Sequence, residues 1–172
     1  SSPSNYVGPE EIFGREPRLA NALITDVDDA DGIFPTTQKP DLIVDQLPES
    51  LHSAINTFLA ATAVRANRGD ADEAKSMMIN VTHFVDVQNQ THELVSQLVG
   101  NIKREAAFCL SDAGTITKNA PALEEIWSAA LREYGYPDSQ KKEFFQSLKP
   151  QIVQTTVEVR NSRADNSGRE QT

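Results

Sequence analysis

The stretch that decides the predicted fold is SMMINVTHFVDVQNQTHELVSQL, which runs from Ser76 to Leu98. Its opening part, SMMINVTHF, is mixed apolar and β-branched, is too short for a helix and is bounded by polar residues, as a buried strand would be. From Val87 to about Phe108, apolar residues recur at the spacing of one helical face. The sequence therefore predicts a strand that runs directly into a helix.

Three further helices and one further strand are predicted around this unit. LPESLHSAINTFLAATAVRANRG, residues 47–69, has apolar residues at helical spacing, a proline in the first turn and a glycine as the stop. APALEEIWSAALREYG, residues 120–135, carries a second apolar stripe, and PDSQKKEFFQSL, residues 137–148, predicts a shorter helix. IVQTTVEVRNS, residues 152–162, alternates between apolar and polar side chains, which is typical of a half-exposed strand.

The two ends of the chain have a different character. Residues 1–46 contain prolines and glycines that interrupt any long period, which predicts an irregular segment that wraps around a core. Within it, PEEIFG at 9–14 can form one helical turn and ALITDV at 22–27 a short strand. Residues 163–172 are polar and predict a disordered tail. The α/β core is therefore expected to lie between residues 47 and 162.

The composition predicts a water-soluble chain of one domain. At 172 residues and 38% hydrophobic, it is long enough to bury a core and too polar to span a membrane. The N-terminus lacks the basic start and apolar centre of a signal peptide, which predicts a cytoplasmic location. The formal net charge is −9, whereas a protein that grips a nucleic-acid backbone by itself normally presents a basic face. Only the region from residue 141 onward is locally basic.

No complete catalytic pattern occurs in the sequence. A Gly-x-Ser-x-Gly elbow and a Gly-x-x-x-x-Gly-Lys-Ser/Thr loop are both missing, and the single cysteine, Cys109, lies in an apolar setting that predicts a core residue. The histidines lack the spacing of a zinc site, and His52 and His92 are expected on the surface. TDVDDADG, residues 25–32, resembles the start of a calcium loop, but its closing glutamate is absent, which favours a solvated turn.

His83 and Asp86 are the remaining candidates, because they lie where the predicted strand ends and the helix begins. Ligands of open α/β sheets bind beyond the carboxyl ends of the strands, which favours contact with a nucleotide, a nucleic-acid backbone or a partner lobe. The alternative is structural: Asp86 caps the helix and His83 packs in the turn. The residues alone leave both interpretations open.

These segments resemble the Z1 domain family, found in bacterial proteins beside a superfamily-two helicase-like ATPase domain and often with restriction or other DNA-defence genes. The resemblance is most specific in LPESL at 47–51 combined with INVTHFVDVQ at 79–88. YVGPEEIFG near the start and VEVRNSR near the end are similar to segments of the same family in the same order. The resemblance therefore covers roughly residues 6–165.

The resemblance implies a helix-rich α/β fold, namely a partial second RecA-like lobe with few strands and a helical insertion at about 121–148. It also implies that a helicase-like ATPase domain of the same polypeptide carries the phosphate-binding loop upstream. This fragment would then be non-catalytic and without a cofactor of its own. The parent would be a DNA-dependent ATPase, or an endonuclease-associated protein, that uses ATP and magnesium. DNA reached through the full-length protein and a nuclease subunit are further implied partners, and a membrane is not.

The resemblance bears on the candidate site residues as well. Family members often carry basic residues within the strand and near its end, where this sequence has Asn80 and His83. This departure leaves Asp86 and Gln88 as the better-matched positions for a nucleotide or lobe interface. A second candidate site, for DNA or for the lobe interface, is the end of the last predicted strand, and its alternative is a polar strand end. That site comprises Arg160, Asn161, Ser162 and Arg163.

Two other functions remain open from the sequence. The first is a non-enzymatic protein-interaction module, whose docking surface would use Trp127, Tyr134, Phe144 and Phe145. Phe144 and Phe145 are adjacent and cannot share one helical face, so one of them is expected to be exposed, which would favour this module. The second is a nuclease, which would need a metal at Asp26 and Asp28.

Overall fold

The fold is built from helices. The computed structural model describes residues 24–160. Its elements, in chain order, are α1 (Glu49–Asn67), α2 (Val85–Cys109), α3 (Pro121–Tyr134), a 3-10 turn (Asp138–Gln140) and α4 (Lys141–Gln154). The four predicted helices are thereby confirmed: the first three end close to their predicted bounds, whereas the last, predicted at 137–148, begins at Lys141 and continues to Gln154. Among these helices, none combines the length and apolar composition needed to cross a membrane.

The expected α/β fold is wrong for the described part of the chain. Between residues 24 and 160 there is no β-strand, and the only β-type pairing is a single bridge between Leu110 and Ile116. A partial second RecA-like lobe requires a sheet, so that part of the interpretation is overturned as well. The physical reason is that an apolar, β-branched sequence favours an extended backbone but does not provide a partner for it. A strand also requires a second strand beside it, whose backbone N–H and C=O groups form hydrogen bonds with its own.

Both predicted strands nevertheless contain extended backbone. Residues 75–81 lie outside any helix, and their side chains alternate strictly between half-buried and exposed, with Lys75, Met77, Ile79 and Val81 inward. Residues 155–160 begin the same alternation, with Thr155 and Val157 inward. Met77, Ile79 and Val157 pack against the main core. The facing is therefore predicted correctly only in part: Val157 lies inward, whereas Val159 is 40% exposed and Met78, in the strand predicted to be buried, is 88% exposed.

The boundary of the last predicted strand is also wrong. Residues 152–154 belong to α4, which continues through Pro150 to Gln154. Ile152 follows Leu148 by four residues, and both side chains are fully buried. The apolar stripe of the helix thus extends one turn past the proline, and burial of Ile152 stabilises that turn.

The main core forms where α1 packs between α3 and α4. Leu59, Ala60, Ala63 and Val64 on α1 are essentially inaccessible to solvent. The two alanines allow neighbouring helices to approach closely, and the larger side chains fill the space between them. Cys109 is half-buried against this cluster rather than enclosed, and its Sγ lies 3.5 Å from the carbonyl oxygen of Asn119.

An aromatic cluster holds α3 and α4 together. Trp127 on α3 stacks edge-on against Phe144, with 5.2 Å between ring centroids, and lies 6.2 Å from Phe145. Phe144 and Phe145 are both fully buried, so the expectation that one of them is exposed is wrong. The reason is that α4 is covered by α1 as well as by α3, so two of its faces are apolar.

A smaller second core lies under the segment that precedes α1. Residues 24–48 contain no helix or strand, and ALITDV is not a strand over its described part, Ile24 to Val27. The segment buries Phe34 and Val44 against Val87 of α2. The helical turn predicted at 9–14 lies outside the described residues, as do residues 163–172.

Carboxylates from distant parts of the chain cap two helix N-termini. Glu105 on α2 accepts hydrogen bonds from the backbone N–H groups of Ala122 and Leu123, at 3.0 and 3.3 Å, in the first turn of α3. Asp29 accepts from the backbone N–H of Ser50, at 2.8 Å, in the first turn of α1. These bonds satisfy N–H groups that have no partner within their own helix.

The loop between α2 and α3 depends on one glycine. Gly114 has φ +73°, and a Cβ at this position would collide with the carbonyl oxygen of Lys142 on α4. Lys149 fastens the same loop, because its Nζ donates to the carbonyl oxygen of Leu110 at 2.8 Å and to Asp112 at 2.7 Å. The loop therefore packs directly on the α4 backbone.

We predict that Gly114→Ala lowers the free energy of unfolding by about 2–4 kcal/mol, because it adds a left-handed alanine and a clash with α4. Gly100→Ala is the matched control: Gly100 lies within α2, and a Cβ there meets nothing within 4 Å. The control should raise stability by about 0.5–1 kcal/mol, since alanine is the better helix former. Urea unfolding of both variants tests the difference, and equal effects would contradict this role of Gly114.

The Asp29 cap predicts an acid-dependent loss of stability. Hydrogen bonds from the Ser50 side chain and backbone N–H lower the pKa of Asp29. Because the folded pKa is below the unfolded value, this contribution is present above about pH 4 and is lost as pH falls through the folded pKa. Asp29→Asn should lower the melting temperature at pH 7, and the gap from wild type should shrink below about pH 4. A pH-independent gap would contradict the prediction, and Asp28→Asn, at an exposed neighbouring aspartate, is the control.

Candidate functional site

The junction before α2 is held by local hydrogen bonds. Phe84 is the N-cap of α2, so Asp86 lies inside the first turn and does not cap the helix. That part of the structural alternative is wrong. Asp86 is exposed, and its charge is favourable there because the N-terminus of a helix carries partial positive charge. Gln88 is half-buried and donates from Nε2 to the carbonyl oxygen of Thr82 at 2.8 Å.

His83 lies at the surface of the same junction. Its ring is exposed and lies 4.0 Å from the ring of Phe84, tilted by 39°. Among residues 24–160, no hydrogen-bond partner of the imidazole is present. His83 and Asp86 thus face solvent, whereas Gln88 points back into the structure.

The glutamine two residues further on was missed by the sequence analysis. Gln90 accepts from the Val44 backbone N–H at 2.8 Å and donates to the Leu42 carbonyl oxygen at 3.1 Å. The side-chain amide of Gln90 therefore ties the segment before α1 to α2, because it bonds one backbone N–H and one backbone C=O of that segment. Gln38 adds a bond from Nε2 to the carbonyl oxygen of Val81 at 2.8 Å. No sequence signal indicates these contacts, because the partners are more than 40 residues apart.

A groove of about 980 Å³ lies between the extended segments and the helices. Residues 71–81 and 154–160 border it, and side chains of α1 and α2 form its apolar floor. At its base Phe58 is half-buried, and directly beneath lie four residues of the main core that are at most 7% exposed, Ile55, Leu59, Val95 and Val99. This concave surface is the candidate functional site, because it is large, apolar at the base and lined by polar backbone.

The groove brings together one member of each predicted site. Gln88 and Arg160 both line it, whereas His83 and Asp86 do not. Arg160 donates to Glu158 at 3.2 Å, so its charge is partly neutralised. Asn161, Ser162 and Arg163 lie outside the described residues.

His92 also belongs to the groove, although it was expected on the surface. It is half-buried, and its Nε2 lies 3.4 Å from the Val157 carbonyl oxygen and 3.4 Å from the Ser96 hydroxyl. These two contacts tie the extended segment after α4 to α2. The position was misjudged because the helical face of His92 is covered by residues 65 positions away.

The electrostatics of the groove are acidic at one end. Asp72 and Glu73 are exposed and make no ion pair with another residue of 24–160. The nearby Lys75 directs its Nζ to the carbonyl oxygens of Asp70 and Ala71 and to Gln151. The cation is thus used to hold backbone and does not neutralise the two carboxylates.

The donor set of the described residues does not fit a catalytic metal. No cluster of three or more His, Cys, Asp or Glu side chains that could hold an ion occurs between residues 24 and 160. Asp26 and Asp28 lie in an exposed turn, as expected.

Geometry and chemistry together define a helical domain with a groove. The family model of the Z1 domain matches residues 50–171, and the chain belongs to the Z1 domain family. The resemblance seen in the sequence is thereby confirmed. No curated protein and no solved structure matches the chain.

We predict that Gln90→Ala frees the segment before α1, because two hydrogen bonds to its backbone are lost. The change should cost about 1–2 kcal/mol of folding stability and speed amide exchange of Val44 by about tenfold or more. Asn89→Ala, at an exposed neighbouring position on the same helix, is the control. Native-state hydrogen exchange measures the effect, and unchanged protection of Val44 would contradict it.

Proposed function

We propose that this chain is a non-catalytic helical domain of a helicase-like, NTP-dependent DNA-processing protein, and that it acts by docking a partner domain in its groove. The observation that carries the docking role is the groove itself, which is bordered by two segments whose backbone groups are largely without partners among residues 24–160. The helicase-like context is supported by membership of the Z1 family and by the resemblance described above.

The domain shapes a motor in this proposal and leaves the chemistry to another domain. Nucleotide hydrolysis requires a phosphate cradle and magnesium ligands. The sequence has no Gly-x-x-x-x-Gly-Lys-Ser/Thr run, and residues 24–160 hold no fitting cluster of metal ligands. ATP and magnesium are therefore assigned to the helicase-like ATPase domain of the same polypeptide, which is the proposed partner, in the cytoplasm.

DNA is proposed to be reached through the complete protein. The net charge of −9 opposes the phosphate contacts that supply most affinity for DNA. Several cations of the described part are also engaged in ion pairs, including Lys141 with Glu124 and Lys149 with Asp112, both at 2.7 Å. A nuclease subunit remains a proposed further partner of the assembly.

A second candidate function is a protein-interaction module that serves no motor. The same groove favours it, because docking does not require nucleotide. The prediction that this module docks its partner through an aromatic surface is wrong for Trp127, Phe144 and Phe145, because all three side chains are buried. Nucleotide hydrolysis by the complete protein distinguishes the two functions.

We predict that the complete protein hydrolyses ATP and that double-stranded DNA stimulates the reaction, while the 172-residue chain alone hydrolyses none. Phe58→Arg, which places a charge in the half-buried groove floor, should reduce the stimulated rate by at least about tenfold, because a buried charge of this kind costs more than about 1.4 kcal/mol of docking energy.

Phe108→Arg is the matched control, because Phe108 is 72% exposed and does not line the groove. Circular dichroism and melting temperature must show that both variants are folded. If the complete protein hydrolyses nothing, the motor context is wrong and the interaction module replaces it. If both variants keep the wild-type rate, the groove is not the docking site.

A further inference from the structure

The backbone that borders the groove is unpaired over two lengths. Within residues 24–160, no backbone N–H from Lys75 to Val81 donates to another group, and the carbonyl oxygens from Lys75 to Asn80 accept from none. From Thr156 to Arg160, the one such contact is that of the Val157 carbonyl oxygen with His92. Among residues 24–160, two lengths of backbone that border the groove thus leave most of their N–H and C=O groups without a hydrogen-bond partner.

The side chains of residues 75–81 alternate as they do in a strand, and those of residues 155–160 begin the same alternation. Residues 75–81 alternate between half-buried and exposed at every position, which is the period of a strand. Met77 and Ile79 rest on the core, and Met78 between them is 88% exposed. The segment 75–81 is thus anchored to the core by Met77 and Ile79, and among residues 24–160 no neighbouring strand pairs with its backbone.

An extended backbone is the ligand that this arrangement fits. A helix satisfies its own N–H and C=O groups, and an apolar small molecule offers none, so neither complements the two edges. A strand presents both groups at a two-residue repeat and turns alternate side chains toward the floor. Strand addition to an exposed edge is a recurrent way in which proteins recognise peptides.

The negative charge at one end of the groove favours a ligand that carries a basic residue there. Asp72 and Glu73 border the groove without an ion pair in the described part, and the nearby cation Lys75 is bonded to backbone. A basic side chain at the end of the peptide would meet these carboxylates. A peptide ending in glutamate would be repelled by them.

We propose that the groove binds an extended peptide strand that is apolar at alternate positions and carries a basic end residue. The strand pairs with the backbone of residues 75–81 or 155–160 and places an apolar side chain against the half-buried ring of Phe58. The proposal rests on the docking role proposed above and names the chemistry of the docked segment, which a partner domain supplies.

Fluorescence anisotropy of the 172-residue chain with three labelled synthetic peptides tests the proposal. The first is acetyl-Lys-Val-Thr-Val-Thr-Val-Lys-amide, with lysine at both ends so that strand direction does not matter. The second replaces the central valine by proline, which removes a ladder donor while keeping an apolar side chain. The third has glutamate at both ends. The first should bind at least tenfold more tightly than either of the others.

A charge-reversal pair then locates the binding. Asp72→Lys combined with Glu73→Lys should weaken the lysine peptide at least tenfold and strengthen the glutamate peptide. Asp26→Lys combined with Asp28→Lys changes the net charge equally at exposed positions outside the groove, and should change neither. All four positions are exposed, so the variants should fold.

Several results would overturn the inference. Failure of the lysine peptide to bind, equal binding of the proline peptide, or an equal effect of the control pair each contradicts strand addition at this groove. A dimer in sedimentation velocity that Phe58→Arg abolishes would show that a second copy fills the groove instead. Peptide binding without ATP hydrolysis by the complete protein would leave this inference standing and remove only the motor context.

Discussion

The structure depends on the packing of α4 against α1 and α3. Phe144 and Phe145 are adjacent in the chain and both fully buried, which is possible only because two faces of α4 are covered. Burial contributes about 1.5–3 kcal/mol for each side chain, and the edge-on contact with Trp127 adds about 0.5–1.5 kcal/mol. Without this contact, α1 would lose its neighbours, and the floor of the groove is built on α1.

The helical core explains why two extended segments persist without a sheet. Met77, Ile79 and Val157 pack on the core, so each segment is held by its inward face rather than by its edge. Lys75 and His92 add contacts to backbone carbonyl oxygens that fix the ends of the groove. Among residues 24–160, the backbone of these segments is therefore positioned by packing and not by pairing with a neighbouring strand.

Membership of the Z1 family and the absence of a sheet in residues 24–160 change the expected role of the domain. A RecA-like lobe would contribute to a nucleotide site through the carboxyl ends of its strands. Here His83 and Asp86 face solvent at the start of α2, and Gln88 is used to bond Thr82. Of the candidate residues in the described part of the chain, Gln88 and Arg160 line the groove, whereas His83 and Asp86 do not.

The sequence by itself determined the helices, because the apolar spacing of α1, α2 and α3 and the stop at Gly135 are local properties. It also predicted a strand over SMMINVTHF, but as a buried one, whereas Met78 within it is 88% exposed. The tertiary structure alone decided that residues 75–81 have no ladder partner among residues 24–160, that Phe144 and Phe145 are both buried, and that Gln90 and His92 hold distant segments. Periodicity records what each residue prefers locally, whereas pairing and enclosure depend on groups that the chain brings together from 40 or more positions away.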